Sequence, residues 1–122
     1  MQNQIICTEK APEPIGPYSQ AVLAGNTLYV SGQIAYEESL AGNLTAETEK
    51  VLEYIGHILD AAGYSYEDVV KCSLFLKNMD DFTTINEIYG RYFNNKPPAR
   101  ETVQVACLPK NVTIEISAIA VK

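Results

Sequence analysis

Two charged side chains near the end of the chain, Arg100 and Glu115, are the strongest candidates for chemistry. Arg100 directly follows the segment PPA at 97–99, where two proline rings fix φ and stiffen the backbone. Glu115 is the only charged residue in the apolar run 112–121, and an ionised carboxylate is costly to bury without a partner. A guanidinium is a planar fork suited to a carboxylate, whether that carboxylate belongs to Glu115 or to a ligand.

Each of these residues also has a purely structural interpretation. Arg100 could be a solvated loop residue, as a lone arginine usually is. Glu115 could belong to a structural ion pair, including one that crosses a subunit interface. The two residues alone leave these alternatives open.

Length and charge restrict the class of protein. The 122 residues are predicted to form one domain, 1–122, with a core that needs no disulfide or metal. With 47% hydrophobic and 20% charged residues, the composition is typical of a globular protein. The net charge of −6 argues against nucleic acid as the main ligand, because such binding depends on Lys and Arg neutralising phosphates.

The cysteines and the single histidine exclude several kinds of site. Cys7, Cys72 and Cys107 are widely spaced, which favours a reducing, cytoplasmic environment over a disulfide scaffold. His57 is the only histidine, so a histidine-rich metal site within one chain is excluded and a histidine-based triad is disfavoured. No apolar stretch is long enough to span a bilayer. We therefore expect no histidine-rich metal site and no membrane association.

Hydrophobic periodicity predicts the element order βββ-α-β-α-ββ. The first helix is predicted to be capped by Thr45 and to stop at Gly63, and the second to be capped by Asp80 or Asp81. Gly32, inside a strand at 27–34, predicts a bulge or a close approach of another group. Segment 35–44 is polar and is predicted to be irregular. The remaining strands are predicted at 5–7, 21–24, 69–77, 102–107 and 112–121, and Gly25-Asn26 predicts a hairpin turn. The first helix is predicted to carry Glu47 in its first turn, where a negative charge suits the helix dipole, and an apolar stripe that includes Val51 and Ile55.

This order predicts an α+β domain in which a six-stranded mixed sheet carries both helices on one face. The isoleucines of the last strand point to both sides of the sheet, so the second face also needs cover. Another subunit is the expected cover, which predicts a homo-oligomer.

Motifs spread along nearly the whole chain resemble the YjgF/RidA family, the reactive-intermediate imine deaminases. The matching segments are IGPYSQAV at 15–22, YVSGQI at 29–34, AAG at 61–63, VVK at 69–71, DF at 81–82 with Asn86 and Tyr89, PAR at 98–100, LPK at 108–110 and IEI at 114–116. The combination of the last three segments is the specific signal, since each tripeptide alone would mean little.

The resemblance implies a chorismate-mutase-like fold and a homotrimer with a cleft at each subunit junction. It implies 2-iminobutanoate/2-iminopropanoate deaminase activity, in which short-lived 2-imino or enamine acids are hydrolysed to 2-oxo acids and ammonia. It implies no cofactor and no metal. It assigns the substrate carboxylate to Arg100 and the attacking water to Glu115. The implied cleft-lining residues are Tyr18, Ser31, Gly32, Asn86 and Thr102.

Thr102 marks a departure, because many close members of the family carry cysteine two positions after the arginine. If a thiol aided catalysis this chain would lack it, whereas threonine serves equally well if only backbone groups are used. Two other functions compete with the deaminase: a non-catalytic trimer that binds or senses small carboxylates, and a ribonuclease. The acidic net charge disfavours the ribonuclease.

Overall fold

The structure is a computed structural model that describes residues 2–122. It contains six strands in one mixed sheet and three α-helices, so the predicted α+β architecture is confirmed. The strands are β1 (Gln4–Ile6), β2 (Ala21–Ala24), β3 (Thr27–Gln33), β4 (Val69–Leu76), β5 (Ala99–Gln104) and β6 (Ile114–Val121). The helices are α1 (Tyr36–Leu40), α2 (Leu44–Ala61) and α3 (Phe82–Tyr92). Short 3-10 turns lie at Tyr66–Asp68, Met79–Asp81 and Pro109–Asn111.

The strand order is β1-β2-β3-β6-β4-β5, so the last strand of the chain lies in the middle of the sheet. β6 pairs antiparallel with both β3 and β4, and only β4 and β5 are parallel. The predicted hairpin at Gly25-Asn26 joins β2 to β3, and Gly25 has the positive φ that such a turn requires.

One face of the sheet packs against α2 and α3 to form the core. Alternate residues of β6 point to the helices and are fully buried, including Ile114 and Ile116. They meet the predicted apolar stripe of α2, in which Val51 and Ile55 have no exposed surface. The sheet therefore presents Glu115 on the face away from the helices.

The second face of the sheet is open to solvent in the single chain. It carries large apolar side chains, of which Tyr29 is 51% and Val103 41% exposed. Tyr29 alternates with the buried Leu28 and Val30 on β3, and Val103 of β5 pairs with Phe75 of β4. The exposure of both residues therefore follows from the strand register. Soluble monomers seldom leave such a face uncovered.

Two local predictions are wrong, and a third is confirmed in position only. Segment 36–40 forms α1 although it was predicted to be irregular. The N-cap of α2 is Asn43, whose side chain accepts a hydrogen bond from the Ala46 N–H at 3.0 Å, and Thr45 lies inside the helix. Asp81 does precede α3, but its side chain makes no capping hydrogen bond.

Candidate functional site

Glu115 occupies the middle of the sheet on its open face. On β6 it is paired with Phe75 of β4, and its other side faces Gly32 of β3. β3 has a register shift between Val30 and Gln33, which confirms the predicted bulge at this point. A methyl group added at Gly32 would overlap the Glu115 carboxylate, so the predicted close approach is also present.

The Glu115 carboxylate has no hydrogen-bond donor and no cation beside it among residues 2–122. Its side chain is half-buried, and burial raises the pKa of its carboxyl above the usual range. A carboxylate in this situation is a stronger base than a solvated one, and it can take a proton from a bound water.

A cavity of about 360 Å³ opens in front of Glu115. Tyr18, Ser31 and Gly32 line it, so three residues assigned to the cleft by resemblance lie beside Glu115. The Ser31 hydroxyl donates to the Ser19 carbonyl oxygen at 2.6 Å, which fixes the loop that carries Tyr18. Tyr18 itself is 48% exposed and presents its ring at the rim.

A second cavity of about 430 Å³ adjoins the first and shares part of its wall. Tyr36 and Tyr54 contribute aromatic surface to it, and the Lys110 ammonium lies 4.9 Å from the centre of the Tyr36 ring. The residues common to both cavities are Ile15, Tyr18, Gly32 and Ile34. The two cavities are therefore neighbours with a common wall.

Arg100 lies near the start of β5 and is held by α3. Its guanidinium donates to the Asn86 side-chain oxygen at 2.8 Å. The same group lies 4.8 Å from the centre of the Tyr89 ring and 5.6 Å from that of Phe82, within cation–π range. No carboxylate among residues 2–122 forms an ion pair with Arg100. The remaining N–H groups are thus free to bind an anion.

Thr102 follows Arg100 on the same side of β5. Its hydroxyl is buried and has no hydrogen-bond partner within residues 2–122, and the Tyr89 hydroxyl is in the same condition. The Tyr89 pKa is raised, chiefly by burial and then by the neighbouring Cys72 thiol, which lies close but not in full hydrogen-bond geometry. The hydroxyls of Thr102 and Tyr89 therefore both lack a hydrogen-bond partner in the part of the chain that the structure describes.

Within one chain the candidate residues form two separate groups. Tyr18, Ser31, Gly32 and Glu115 share one cavity, whereas Asn86 and Arg100 line another of about 430 Å³. Strand register explains the separation: Arg100 pairs with Cys72, which faces the helices, while Glu115 pairs with Phe75 and faces away from them. A single chain does not bring Arg100 and Glu115 to one ligand.

No group of three or more His, Cys, Asp or Glu side chains in residues 2–122 is arranged to hold a metal ion. Across that same part of the chain, no helix has both the length and the apolar character needed to cross a bilayer.

Sequence reasoning gave no site role to two buried polar residues that support this region. Glu47 was interpreted only as a favourable charge in the first turn of α2, yet its side chain is fully buried and binds the segment before Glu115. Gln20 donates to the carbonyl oxygens of Thr8 and Pro12 and accepts from the Thr8 N–H, so it fixes the loop in front of Tyr18. A position inside an apolar stripe was the available signal for Glu47.

The chain matches known proteins of one family along nearly its whole length. The family model described as Endoribonuclease L-PSP matches residues 8–122. A RutC family protein of Pyrococcus horikoshii is 51% identical, with 98% of each chain covered. The human 2-iminobutanoate/2-iminopropanoate deaminase is 46% identical over 98% of this chain and 90% of its own.

Solved structures of similar sequence have the same fold. The crystal structure of E. coli TdcF with bound serine superposes with a TM-score of 0.92 at 40% identity, covering 98% of both chains.

Proposed function

Since the chain belongs to the YjgF/RidA family, we propose that it hydrolyses reactive 2-imino and enamine acids, such as 2-iminobutanoate and 2-aminoacrylate, to 2-oxo acids and ammonia. The deaminase name of the human relative and the serine bound to TdcF support a small substrate related to amino acids. The observation that carries the proposal is the unpartnered, half-buried Glu115 carboxylate at the base of a cavity.

Glu115 is the general base in this proposal. Its raised pKa makes it able to take a proton from a water molecule as that water attacks C2 of the imine. Glu115 then returns that proton to the nitrogen of the carbinolamine, which makes the amine a leaving group. As the C–N bond breaks and the C=O bond forms, the hydroxyl proton passes through Glu115 to the departing ammonia, which leaves as ammonium and regenerates the carboxylate. A protonated imine is already electrophilic, so orientation of the water supplies much of the acceleration.

Arg100 holds the substrate carboxylate. Asn86 and the rings of Tyr89 and Phe82 fix the guanidinium, and its unused N–H groups suit two parallel hydrogen bonds to a carboxylate. Thr102 lies two residues further along β5, and its hydroxyl is buried outside the cavity that Arg100 lines, so we give it no hydrogen bond to the substrate. The carboxylate of a 2-imino acid is directly bonded to C2, so anchoring it also positions the reacting carbon.

The two halves of this site come from different subunits of a homotrimer. Arg100 and Glu115 lie on opposite faces of the sheet in one chain, so a substrate that contacts both must lie between two copies. The apolar open face that carries Tyr29 and Val103 supplies a surface for that contact.

A coupled assay tests the reaction. A threonine dehydratase acting on threonine releases the imine, and the protein is expected to accelerate the appearance of 2-oxobutanoate. Arg100→Ala and Glu115→Gln should each abolish the acceleration. Arg91→Ala and Glu87→Gln are matched controls, because these residues pair with each other on the exposed surface of α3. Absence of acceleration by the wild-type protein with several imino acids would reject the proposal.

Mixed trimers test the shared site. Arg100→Ala and Glu115→Gln chains, produced together in one cell, should regain up to about a quarter of wild-type activity, since that share of junctions has both intact residues when heterologous interfaces form at random. Sites built within one chain would give no recovery.

The alternative is a trimer that binds small carboxylates without turnover. Arg100 alone would be enough for such binding, and Glu115→Gln would then change neither affinity nor any rate. A ribonuclease activity, suggested by the family description, is disfavoured by the net charge of −6.

A further inference from the structure

A buried carboxylate that lines none of the three cavities holds the backbone next to Glu115. Glu47, on the core-facing side of α2, has no exposed surface. One of its oxygens accepts from the Thr113 N–H at 2.9 Å and the Ile114 N–H at 3.3 Å, and the other accepts from the Thr113 hydroxyl at 2.6 Å. No basic side chain in residues 2–122 pairs with it, so these hydrogen bonds are its compensation for burial.

The segment held by Glu47 is where a strained turn becomes β6. Lys110 and Asn111 are both non-glycine residues with positive φ, at 54° and 57°. Two such residues in succession persist only where the surroundings determine the conformation. Val112, which follows them, is fully buried, and the Thr113 carbonyl oxygen accepts from the Lys77 N–H at 3.0 Å. Glu47 thus accepts the hydrogen bonds that the N–H groups of this segment donate, while the carbonyl oxygen of Thr113 is held by Lys77.

The same turn shapes the cavities. Pro109 lines the Glu115 cavity, and Lys110 lines the neighbouring cavity of about 430 Å³ that contains Tyr36 and Tyr54. Because side chains alternate along a strand, a small rotation or slip at Thr113 would turn Glu115 away from its cavity.

We propose that Glu47 is a positioning residue for the site: its carboxylate fixes the register at Thr113 and Ile114 so that Glu115 and Pro109 face the substrate cavity. This inference rests on the proposed deaminase function, although one of its tests below does not.

The role requires hydrogen bonding and not charge, which gives a sharp pair of variants. In Glu47→Gln, the side-chain oxygen can still accept from both N–H groups while the amide donates to the Thr113 hydroxyl. That variant should keep kcat within about threefold of wild type. Glu47→Ala leaves two buried N–H groups unpaired, and we expect kcat to fall by at least about tenfold, since a displacement near 1 Å costs far more than that in oriented reactions. KM should change little, because Arg100 on β5 binds the substrate carboxylate.

Thr48→Ala is the matched control for lost stability. Thr48 is the neighbouring residue, is equally buried, and donates only to the Leu44 carbonyl oxygen at 2.8 Å within α2. Its substitution should lower the melting temperature without changing kcat per folded molecule. If Glu47→Ala and Thr48→Ala lose activity only in proportion to unfolding, Glu47 is merely structural and the inference is wrong.

A titration of Glu115 separates this inference from the proposed reaction. Carbon-detected NMR of the labelled carboxyl, assigned by its absence in Glu115→Gln, reports the pKa of Glu115 without substrate. Glu47→Ala should move that pKa down towards the ordinary carboxyl value, because a loosened turn admits water, and Glu47→Gln should leave it unchanged. An unmoved pKa in Glu47→Ala overturns the inference. A wild-type protein that deaminates nothing overturns the proposed function instead.

Discussion

Gly32→Ala is expected to remove activity while leaving the fold intact. The added Cβ would lie 2.7 Å from Cδ and 3.0 Å from Cγ of Glu115, and closer still to the carboxylate oxygen Oε2. Ordinary contacts of a Cβ begin near 3.4 Å, so the carboxyl carbon has to move by about 0.7 Å or more. The displaced group is the end of a flexible side chain, so the strand itself does not have to move.

The expected magnitudes follow from that displacement. Turning Glu115 out of its preferred rotamer costs about 0.5–1.5 kcal/mol of stability, well within what a folded domain tolerates. The rate should fall on the order of 100-fold, because a general base displaced by this distance no longer aims a water at C2. Urea denaturation gives the first quantity, and kcat/KM for imine hydrolysis gives the second.

Two further variants make the test decisive. Gly56→Ala is the matched glycine control: its added Cβ would overlap the Tyr66 hydroxyl and Gly56 lines none of the three cavities, so stability should fall while kcat is unchanged. In a Glu115→Ala background, Gly32→Ala should cost almost no stability, because the overlapping atoms are gone. Full activity in Gly32→Ala would refute the assignment of Glu115 as a fixed base.

The remaining predictions concern separate parts of the molecule. Arg100→Lys should raise KM by about 10- to 100-fold, because a point charge makes one fewer charge-assisted hydrogen bond to a carboxylate, and steady-state kinetics measures the change. The kcat/KM profile should fall on acidification with an apparent pKa above the usual carboxyl value of 4.5, because Glu115 must be ionised and burial raises its pKa; a limb at or below 4.5 would contradict this. Gly56→Ala should lower the free energy of unfolding by about 1–3 kcal/mol without affecting kcat, since its Cβ would overlap the Tyr66 hydroxyl, which donates to a carbonyl oxygen of α2. Tyr29→Glu should reduce the molar mass of the oligomer measured by light scattering, because it places a charge in the apolar open face. An unchanged molar mass would show that this face does not form the proposed subunit interface.

The helices and strands that could be predicted are those in which the spacing of apolar residues reflects which side chains are buried. The α2 stripe and the β2–β3 hairpin appear where apolar spacing and the Gly25-Asn26 turn indicated. The short helix α1 gave no such signal, because none of its five residues is buried. Its backbone hydrogen bonds are local, and its apolar residue Leu40 is 73% exposed. Neither the spacing of apolar residues nor burial therefore marks this helix in the sequence.

The composition of the site was predictable in part. The bulge at Gly32 and the isolated charge of Glu115 were visible as local departures from strand composition. Their grouping with Tyr18 and Ser31 came from the family resemblance and agrees with the cavity they share. The separation of Arg100 from Glu115 was not predictable, because it depends on β6 lying between β3 and β4 and on parallel pairing of β5.

The contrast between Glu47 and Glu115 is the strongest argument that the second residue is functional. The chain surrounds the Glu47 carboxylate with three donors and holds the Gln20 amide with four hydrogen bonds, so the fold is able to satisfy buried polar groups. It supplies no donor to Glu115 and no anion to Arg100 within residues 2–122. An unsatisfied carboxylate reduces stability, and replacing it with an apolar residue would remove that cost. Across residues 2–122 the fold therefore leaves an unpaired carboxylate and an unpaired guanidinium on opposite faces of one sheet, and in the proposed site a substrate held between two chains contacts both.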